Sequence, residues 1–245
     1  MTSVADLKQL QIRNQALSTR GIMMLGFQRT NHISTEARLA WENGDRAPLR
    51  QEARTRRDEI FQGALADIHS EYLGVQSALK TANFAPKTVI DIGCGQALGD
   101  AFLLRDFDPA FILIDIEKTP SQYHAWKKRG SGYALLDEAA EFLRDNGARQ
   151  VRTINPRLVP DQLNGLHADL VISTISCGFH YPIGEYLPIM LASLERGGTV
   201  ILDIRQRYWR NPDEALNSLL SHAQHVEIPS AEPKAHRLLF TSRPA

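Results

Sequence analysis

Residues 88–100 read TVIDIGCGQALGD, the strongest structural signal in the sequence. It begins as a β-rich apolar run, continues through glycines at positions 93, 95 and 99, and passes into residues typical of a helix. At such a strand-to-helix turn, glycines permit positive φ values and let a ligand approach the backbone, while the helix N-terminus offers free N–H groups. Because open α/β sheets bind ligands at the carboxyl ends of their strands, we predict a binding site at this turn.

The same alternation of short β-rich runs and helical patterns continues downstream, and it is typical of a parallel sheet built from βαβ units. The apolar runs are continuous, as in FILID and TVILD, which favours strands covered on both faces. Two further runs, AQHVEIP and AHRLLFTS, are joined by a proline-containing stretch and predict an antiparallel hairpin at the end of the sheet. The predicted parallel strands are residues 88–92, 111–115, 150–154, 170–173 and 199–204. One helix is predicted after Gly95 and another beginning at Thr119-Pro120, and three more are predicted over residues 135–143, 183–194 and 213–222.

Residues 1–85 contain no convincing strand and are predicted to be helical. Apolar residues recur at steps of four and three over residues 61–79, which predicts an amphipathic helix. Asp45 and Pro48 are suited to cap and open a helix through residues 51–59, and residues 4–17 predict another short helix. The segment GIMMLGFQRTNHIS, residues 21–34, stays unassigned. We therefore predict a helical N-terminal cap or substrate region over 1–85 and a ligand-binding α/β domain over 86–245.

The composition argues against several classes of protein. The 245 residues carry 28 Lys and Arg against 28 Asp and Glu. Zero net charge argues against a protein dedicated to DNA or bulk RNA, because such affinity comes from Lys and Arg that neutralise phosphates. The two cysteines, Cys94 and Cys177, form neither a disulfide framework nor a zinc motif, so a reduced cytoplasm is expected. No apolar run is long enough to span a bilayer and the first residues lack a signal-peptide layout, which argues against a membrane partner.

The strand after the glycine turn ends in an acid, Asp115, about twenty residues beyond the turn. A carboxylate at this position can accept hydrogen bonds from both hydroxyls of a ribose. The glycine spacing is G-x-G-x-x-x-G, since Leu98 occupies the third-glycine position of the dinucleotide pattern. A ligand with a ribose is therefore predicted, and a nicotinamide-dependent oxidoreductase is the less favoured reading.

Four segments within residues 86–245 resemble a class I S-adenosylmethionine-dependent methyltransferase: VIDIGCGQALGD, FILIDIEKT, ADLVISTISCGFHYP and LERGGTVILDIR. The resemblance implies a Rossmann-like α/β fold with a seven-stranded, mostly parallel sheet and a C-terminal antiparallel hairpin, and S-adenosyl-L-methionine as cofactor. It implies that Asp91, Gly93 and Gly95 surround the methionine part of the cofactor and that Asp115 binds its ribose. Residues after the third strand flank the adenine in this family, and here that position is Asn155. The remaining predicted cofactor contacts are Cys94, Gln96, Ile116, Ser173 and Thr174.

Methyl transfer from a sulfonium requires the nucleophile to be aligned with the methyl carbon, water to be excluded and, for a hydroxyl acceptor, a proton to be removed. The end of the fourth strand offers candidates for these tasks. His180 is predicted to be the general base, since an unperturbed imidazole titrates near about pH 6.5; the alternative is a packed loop histidine. Tyr181 and Tyr186 are predicted to shape the substrate pocket. Arg205, in a basic and aromatic cluster after the fifth strand, is predicted to contact the substrate.

The loop CGFHYP, followed by Tyr186, is similar to one in bacterial methyltransferases that act on sugars or other small hydroxylated metabolites. The [DN]-P-P-[YF] motif of many enzymes that methylate amino groups is missing. We therefore predict O-methylation of a small molecule. A non-catalytic methyltransferase-like binding subunit and a nucleotide or RNA methyltransferase stay open as alternatives, and so does assembly into a homo-oligomer. No metal site is predicted, because Asp169 and Asp203 are not expected to converge with the pocket.

Overall fold

One sheet of seven strands forms the centre of the structure. The structure is a computed structural model, and it describes residues 11–117, 126–128, 130, 132 and 134–243. The strands are β1 (Thr88–Ile92), β2 (Ala110–Ile114), β3 (Val151–Ile154), β4 (Leu170–Ser173), β5 (Thr199–Arg205), β6 (Ala223–Ile228) and β7 (Ala235–Ser242). Their order in the sheet is β3-β2-β1-β4-β5-β7-β6. Strands β1 to β5 run parallel, and β6 and β7 form an antiparallel hairpin in which β7 also pairs with β5.

The sheet predicted from the sequence is confirmed. The bounds of β1 and β4 agree with the prediction, β3 and β5 each differ from it by one residue at one end, and β2 begins and ends one residue earlier than predicted. In the register of the sheet, Asp91 of β1 lies beside Leu113 of β2 and Ile172 of β4. Because these three strands are parallel neighbours, their carboxyl ends meet at one edge of the sheet.

From residue 11 onward, four α-helices precede the sheet: α1 (Thr19–Gln28), α2 (Thr35–Glu42), α3 (Ala47–Thr55) and α4 (Arg57–Thr81). The amphipathic helix predicted over residues 61–79 is confirmed as α4. The helix predicted through residues 51–59 is wrong in its bounds, because Arg56 has φ −121° and ψ 25° and separates α3 from α4. Pro48 lies in the first turn of α3, and the Asp45 carboxylate accepts a hydrogen bond from the Ala47 N–H at 2.8 Å.

The unassigned segment 21–34 contains most of α1, which is buried from Gly21 to Phe27. Its local sequence did not predict a helix, because glycines interrupt the apolar run. A helix that is apolar on all sides is stable when it is buried. Glycine suits the close packing of this helix, because a Cβ on Gly26 would lie only 2.8 Å from a methyl group of Ile33. The short helix predicted over 4–17 is wrong for residues 11–17, which are not helical, while residues 4–10 lie outside the described residues.

The remaining helices cover the sheet. Those predicted over 135–143 and 213–222 are confirmed, and the one predicted over 183–194 begins later, with Pro188 in its first turn. The helix predicted to open at Thr119-Pro120 falls outside the described residues. These helices are α5 (Leu98–Phe107), α6 (Leu136–Asp145), α7 (Leu187–Glu195), α8 (Gln206–Arg210) and α9 (Glu214–His222).

Two apolar clusters lie on opposite faces of the sheet. Val89 belongs to the first cluster and Ile90 to the second, because successive residues of a strand point to opposite faces. The first cluster also includes Leu25 of α1 and Phe61 of α4, so the N-terminal helices share a core with the sheet. The predicted boundary near residue 86 falls between α4 and β1. None of the described helices combines the length and the apolar character that a membrane span requires.

Candidate active site

The glycine turn after β1 needs glycine at two positions. Gly93 has φ +85° and Gly95 has φ +57°. A Cβ on Gly93 would lie 1.8 Å from Ser176 Oγ, and a Cβ on Gly95 would lie 3.0 Å from the side-chain nitrogen of Gln28. At Gly93 the backbone conformation and the close neighbour both exclude a larger side chain, whereas at Gly95 the positive φ is the main restriction, because the Gln28 amide is the end of a flexible side chain.

Asp115, immediately after β2, is tied to this turn. Its Oδ2 accepts a hydrogen bond from the Gly95 N–H at 2.8 Å, and its Oδ1 accepts one from the Ile116 N–H at 2.6 Å. Burial raises the pKa of Asp115 to about 7, the two N–H donors lower it, and the Glu117 carboxylate raises it further. The hydrogen bond to Gly95 holds the carboxylate at the edge of the sheet beside the glycine turn.

A cavity of about 180 Å³ lies at the carboxyl ends of β1, β2 and β4. The structure brings most of the predicted site residues together around it. Those that line the cavity are Asp91, Gly93, Cys94, Gly95, Gln96, Asp115, Ile116, Thr174, His180, Tyr181 and Tyr186.

Three predicted site residues do not line this cavity: Ser173, Asn155 and Arg205. Ser173 Oγ donates to the Ile92 carbonyl at 2.6 Å and accepts from the Cys177 N–H at 2.9 Å, so it joins β4 to β1. The Asn155 amide donates to the Glu117 carboxylate at 3.4 Å. The Arg205 guanidinium lies 5.1 Å from the centre of the Phe179 ring, and its buried Nη1 has no hydrogen-bond partner in the described part of the chain.

The strand order, the glycine turn and the acidic end of β2 together have the arrangement that the sequence resemblance implied. The chain has a class I methyltransferase fold.

No protein-family model matches the chain, and no curated protein matches it. Among solved structures, it is similar to a ribosomal protein L11 methylase from Lactobacillus delbrueckii subsp. bulgaricus, with 16% identity and a TM-score of 0.49 over 72% of this chain and 80% of that one. It is also similar to the methyltransferase domain of bacterial CtHen1-CN, with 16% identity and a TM-score of 0.45 over 72% and 99% of the two chains. TrmN from Thermus thermophilus gives 15% identity and a TM-score of 0.46 over 70% and 49%.

The loop after β4 forms a wall of the cavity and packs against Gly93 of the glycine turn. Ser176 Oγ and Tyr181 Oη lie 3.2 Å apart, and the His180 N–H donates to the Ser176 carbonyl at 2.8 Å. Burial raises the pKa of Tyr181 well above its usual value, so its hydroxyl stays protonated; in the contact with Ser176 Oγ either oxygen can donate the hydrogen bond. Cys177, by contrast, is fully buried outside the cavity lining, and burial raises the pKa of its thiol. A buried protonated thiol is a poor nucleophile.

Asp203 contacts this loop, although its side chain does not line the cavity. Its Oδ2 accepts a hydrogen bond from the Ile175 N–H at 3.1 Å. Both of its carboxylate oxygens also accept from Arg237, at 2.7 Å each, and both side chains are fully buried. The sequence offered no signal for this contact, because Asp203 lies in the middle of an apolar strand and its partners come from two other segments.

The N-terminal helices supply cavity residues that the sequence analysis missed. Arg29, at the end of α1, donates to both carboxylate oxygens of Glu71 on α4, at 2.5 and 2.8 Å. Leu25 and Gln28 of α1 and Ile68 of α4 also line the cavity. The helical periodicity over residues 61–79 indicated which face of α4 is apolar, but no motif marked Arg29 or Glu71 as site residues.

Proposed function

We propose that this chain is an S-adenosyl-L-methionine-dependent methyltransferase that acts on a hydroxyl group of a small molecule. The observation that carries the proposal is the hydrogen bond from the Gly95 N–H to the Asp115 carboxylate at the edge of a cavity. It places an acid at the end of β2 beside the glycine turn that follows β1. At this position the ribose of the cofactor and the methionine part attached to it would be held together.

The residues around the cavity fit this cofactor. Each carboxylate oxygen of Asp115 accepts one backbone hydrogen bond, at 2.8 and 2.6 Å. A carboxylate has about four lone-pair sites, so capacity remains for the two hydroxyls of a ribose. Gly93 and Gly95 keep the turn free of side chains where the methionine part would pass, and Asp91 lies beside them. When bound, the cofactor supplies an activated methyl group on a sulfonium.

The protein's own tasks are to position the acceptor, to exclude water and to remove its proton. His180 lines the cavity and is the proposed general base. Tyr181 is proposed to orient the acceptor through its protonated hydroxyl, together with Ser176. Gln28 and Arg29 are proposed to close the cavity from the side of α1.

A small acceptor is supported by what surrounds the cavity. Side chains from α1, from α4 and from the loop after β4 all line it, so the cavity is walled on several sides. Zero net charge also argues against a long polyanionic substrate. The hydroxyl preference rests on the similarity of the CGFHYP loop to that of methyltransferases for small hydroxylated molecules.

The test has two stages. Titration calorimetry with S-adenosylhomocysteine should show binding, and Asp115→Ala should weaken it by about tenfold or more, since two charge-assisted hydrogen bonds are lost. A methyl-transfer screen with labelled cofactor against sugars, nucleotide sugars, phenols and small RNAs should then label a hydroxylated small molecule. No binding at millimolar concentration would refute the cofactor, and labelling of RNA alone would refute the small-molecule acceptor.

A further inference from the structure

Positive charge is concentrated in two short segments of a chain whose net charge is zero. Residues 118–133 contain four Lys and Arg and no acid, and residues 205–210 contain three Arg and no acid. The rest of the chain has 21 Lys and Arg against 28 Asp and Glu. Such a concentration of one sign of charge raises the local potential, and it attracts ligands of the opposite sign.

Described residues of the two segments meet beside the loop after β4. The Trp126 ring packs against the Tyr208 ring, with 4.9 Å between the ring centres, and the Arg207 guanidinium lies 5.7 Å from the centre of the Trp126 ring. The Lys127 N–H donates a hydrogen bond to the His180 carbonyl at 2.9 Å. Because His180 lines the cavity, the basic residues lie next to the proposed base.

Arg205, at the carboxyl end of β5, packs against the same loop. Its N–H donates to the Gly178 carbonyl at 3.0 Å, and its guanidinium lies 5.1 Å from the centre of the Phe179 ring. The Phe179 ring in turn lies 5.0 Å from the His180 ring. A single aromatic ring therefore separates the Arg205 guanidinium from a residue that lines the cavity. We call Arg205, Arg207, Phe179 and Trp126 the basic patch.

No acid of the described part of the chain neutralises the arginines of the basic patch. Arg205 and Arg207 form no ion pair there, and the buried Nη1 of Arg205 has no hydrogen-bond partner there. The acids near the loop are engaged elsewhere: Asp213 accepts from the Tyr208 hydroxyl at 2.7 Å, and Glu185 pairs with a different arginine. A guanidinium that contacts a ring face keeps its planar fork of N–H donors for an anion.

We propose that the methyl acceptor carries a phosphate group, which Arg205 binds with Arg207 beside it, while the acceptor hydroxyl lies in the cavity at His180. This inference rests on the proposed function, and it narrows the acceptor to a phosphorylated small molecule. A phosphate fits the basic patch better than a carboxylate does, because it carries about two negative charges and three acceptor oxygens. The donors of Arg205 match those oxygens in a bidentate contact.

The experiment uses inorganic pyrophosphate as the probe, because it carries the phosphate chemistry without an acceptor hydroxyl. A ³¹P NMR titration of the protein saturated with S-adenosylhomocysteine, in about 0.1 M salt, should show binding. Arg205→Gln should weaken this binding by about tenfold or more, since charge-assisted hydrogen bonds are lost. Arg205→Lys should lose less, because it keeps the charge without the planar fork.

Arg196→Gln is the matched control. Arg196 is exposed and precedes β5, whereas Arg205 ends this strand, so the two arginines lie at opposite edges of the sheet. The control removes the same charge at a distance where salt screens it, and it should leave pyrophosphate binding within about twofold. Neither Arg196 nor Arg205 lines the cavity, so unchanged affinity for S-adenosylhomocysteine shows that both variants are folded.

The outcomes separate this inference from the proposed function. If S-adenosylhomocysteine binds but pyrophosphate does not, or if Arg205→Gln and Arg196→Gln have equal effects, the phosphate site is wrong while the cofactor proposal stands. If S-adenosylhomocysteine does not bind, the proposed function fails. An oligouridylate that binds more than about a hundredfold more tightly than pyrophosphate, and that loses affinity in Arg205→Gln, would assign the basic patch to RNA and overturn the small acceptor.

Discussion

The Asp203 carboxylate accepts a hydrogen bond of 3.1 Å from the backbone N–H of Ile175. Ile175 has φ +50°, a left-handed conformation that is strained for a β-branched residue. Asp203 is itself held by two hydrogen bonds from Arg237. A buried ion pair in the sheet therefore stabilises a strained turn next to Ser176, which lines the cavity.

Asp203→Ala should lower the free energy of unfolding by about 3–5 kcal/mol, because it leaves Arg237 buried without its partner. Urea denaturation measures this loss. The double variant Asp203→Leu with Arg237→Met should lose less than Asp203→Ala alone, since no uncompensated charge remains. A loss below about 1 kcal/mol for Asp203→Ala would show that the pair does not hold this part of the structure.

Gly93→Ala should destabilise the protein by more than about 1 kcal/mol and abolish binding of S-adenosylhomocysteine, because the new methyl group collides with Ser176 in addition to straining the backbone. Gly147→Ala is the matched control: Gly147 has φ +107°, and nothing lies within 4 Å of a Cβ there. The control measures backbone strain alone. Adding Ser176→Gly to Gly93→Ala should recover part of the lost stability, and no recovery would contradict the collision.

Binding of 5′-methylthioadenosine should strengthen about tenfold between pH 6 and pH 8, because Asp115 accepts ribose hydroxyl donors as a carboxylate and its pKa is raised to about 7. Calorimetry at several pH values measures this change. Asp115→Asn should weaken binding at pH 8 and flatten the pH dependence. A pH dependence that survives in Asp115→Asn must come from another group.

A rise in pH is expected to strengthen binding but to lower the stability of the protein without ligand, because the pKa values of two buried acids, Asp100 and Asp115, are raised. Asp100 and Asp115 hold protons in the folded state up to about pH 7, whereas they release them near about pH 4 when unfolded. Their contribution to stability is therefore fully present below about pH 4 and is lost as the pH rises through about 7. The urea midpoint of the double variant Asp100→Asn with Asp115→Asn should fall less between pH 5 and pH 8 than that of the unaltered protein.

His180→Ala should lower the rate of methyl transfer by about 10²–10⁴-fold, the usual contribution of a general base, while the affinity for S-adenosylhomocysteine stays within about twofold. Single-turnover kinetics with the acceptor found in the screen separates these effects. Tyr181→Phe, which removes only the hydroxyl that lies 3.2 Å from Ser176 Oγ, should retain the pH dependence of the rate. Unchanged turnover in His180→Ala would remove His180 as the base.

Much of the sheet was predictable because the information for it is local. Strands such as β1 and β4 are short apolar runs bounded by glycine, polar residues and helical periodicity, and both were located to the residue. Asp91, Gly93, Gly95 and Asp115 were found for the same reason: each directly follows, or lies at the end of, a strand whose position the pattern already marks. The resemblance then connected this edge of the sheet to a cofactor.

The tertiary structure alone decided what closes the cavity and what holds its loops. The helix α1 exists because its glycine-interrupted sequence is buried, and Arg29 meets Glu71 only because α1 and α4 pack together. Asp203 contacts Ile175 across adjacent strands, and Asp100 adjoins Asp91 through the fold of the glycine turn. Periodicity determines which way a side chain faces on its own element. Which distant group it then meets depends on the packing of whole elements. For that reason the sequence determined the glycine turn and the acid that follows β2, while the tertiary structure determined the contact between Asp91 and Asp100, the buried ion pair of Asp203 with Arg237, and the helices that line the cavity.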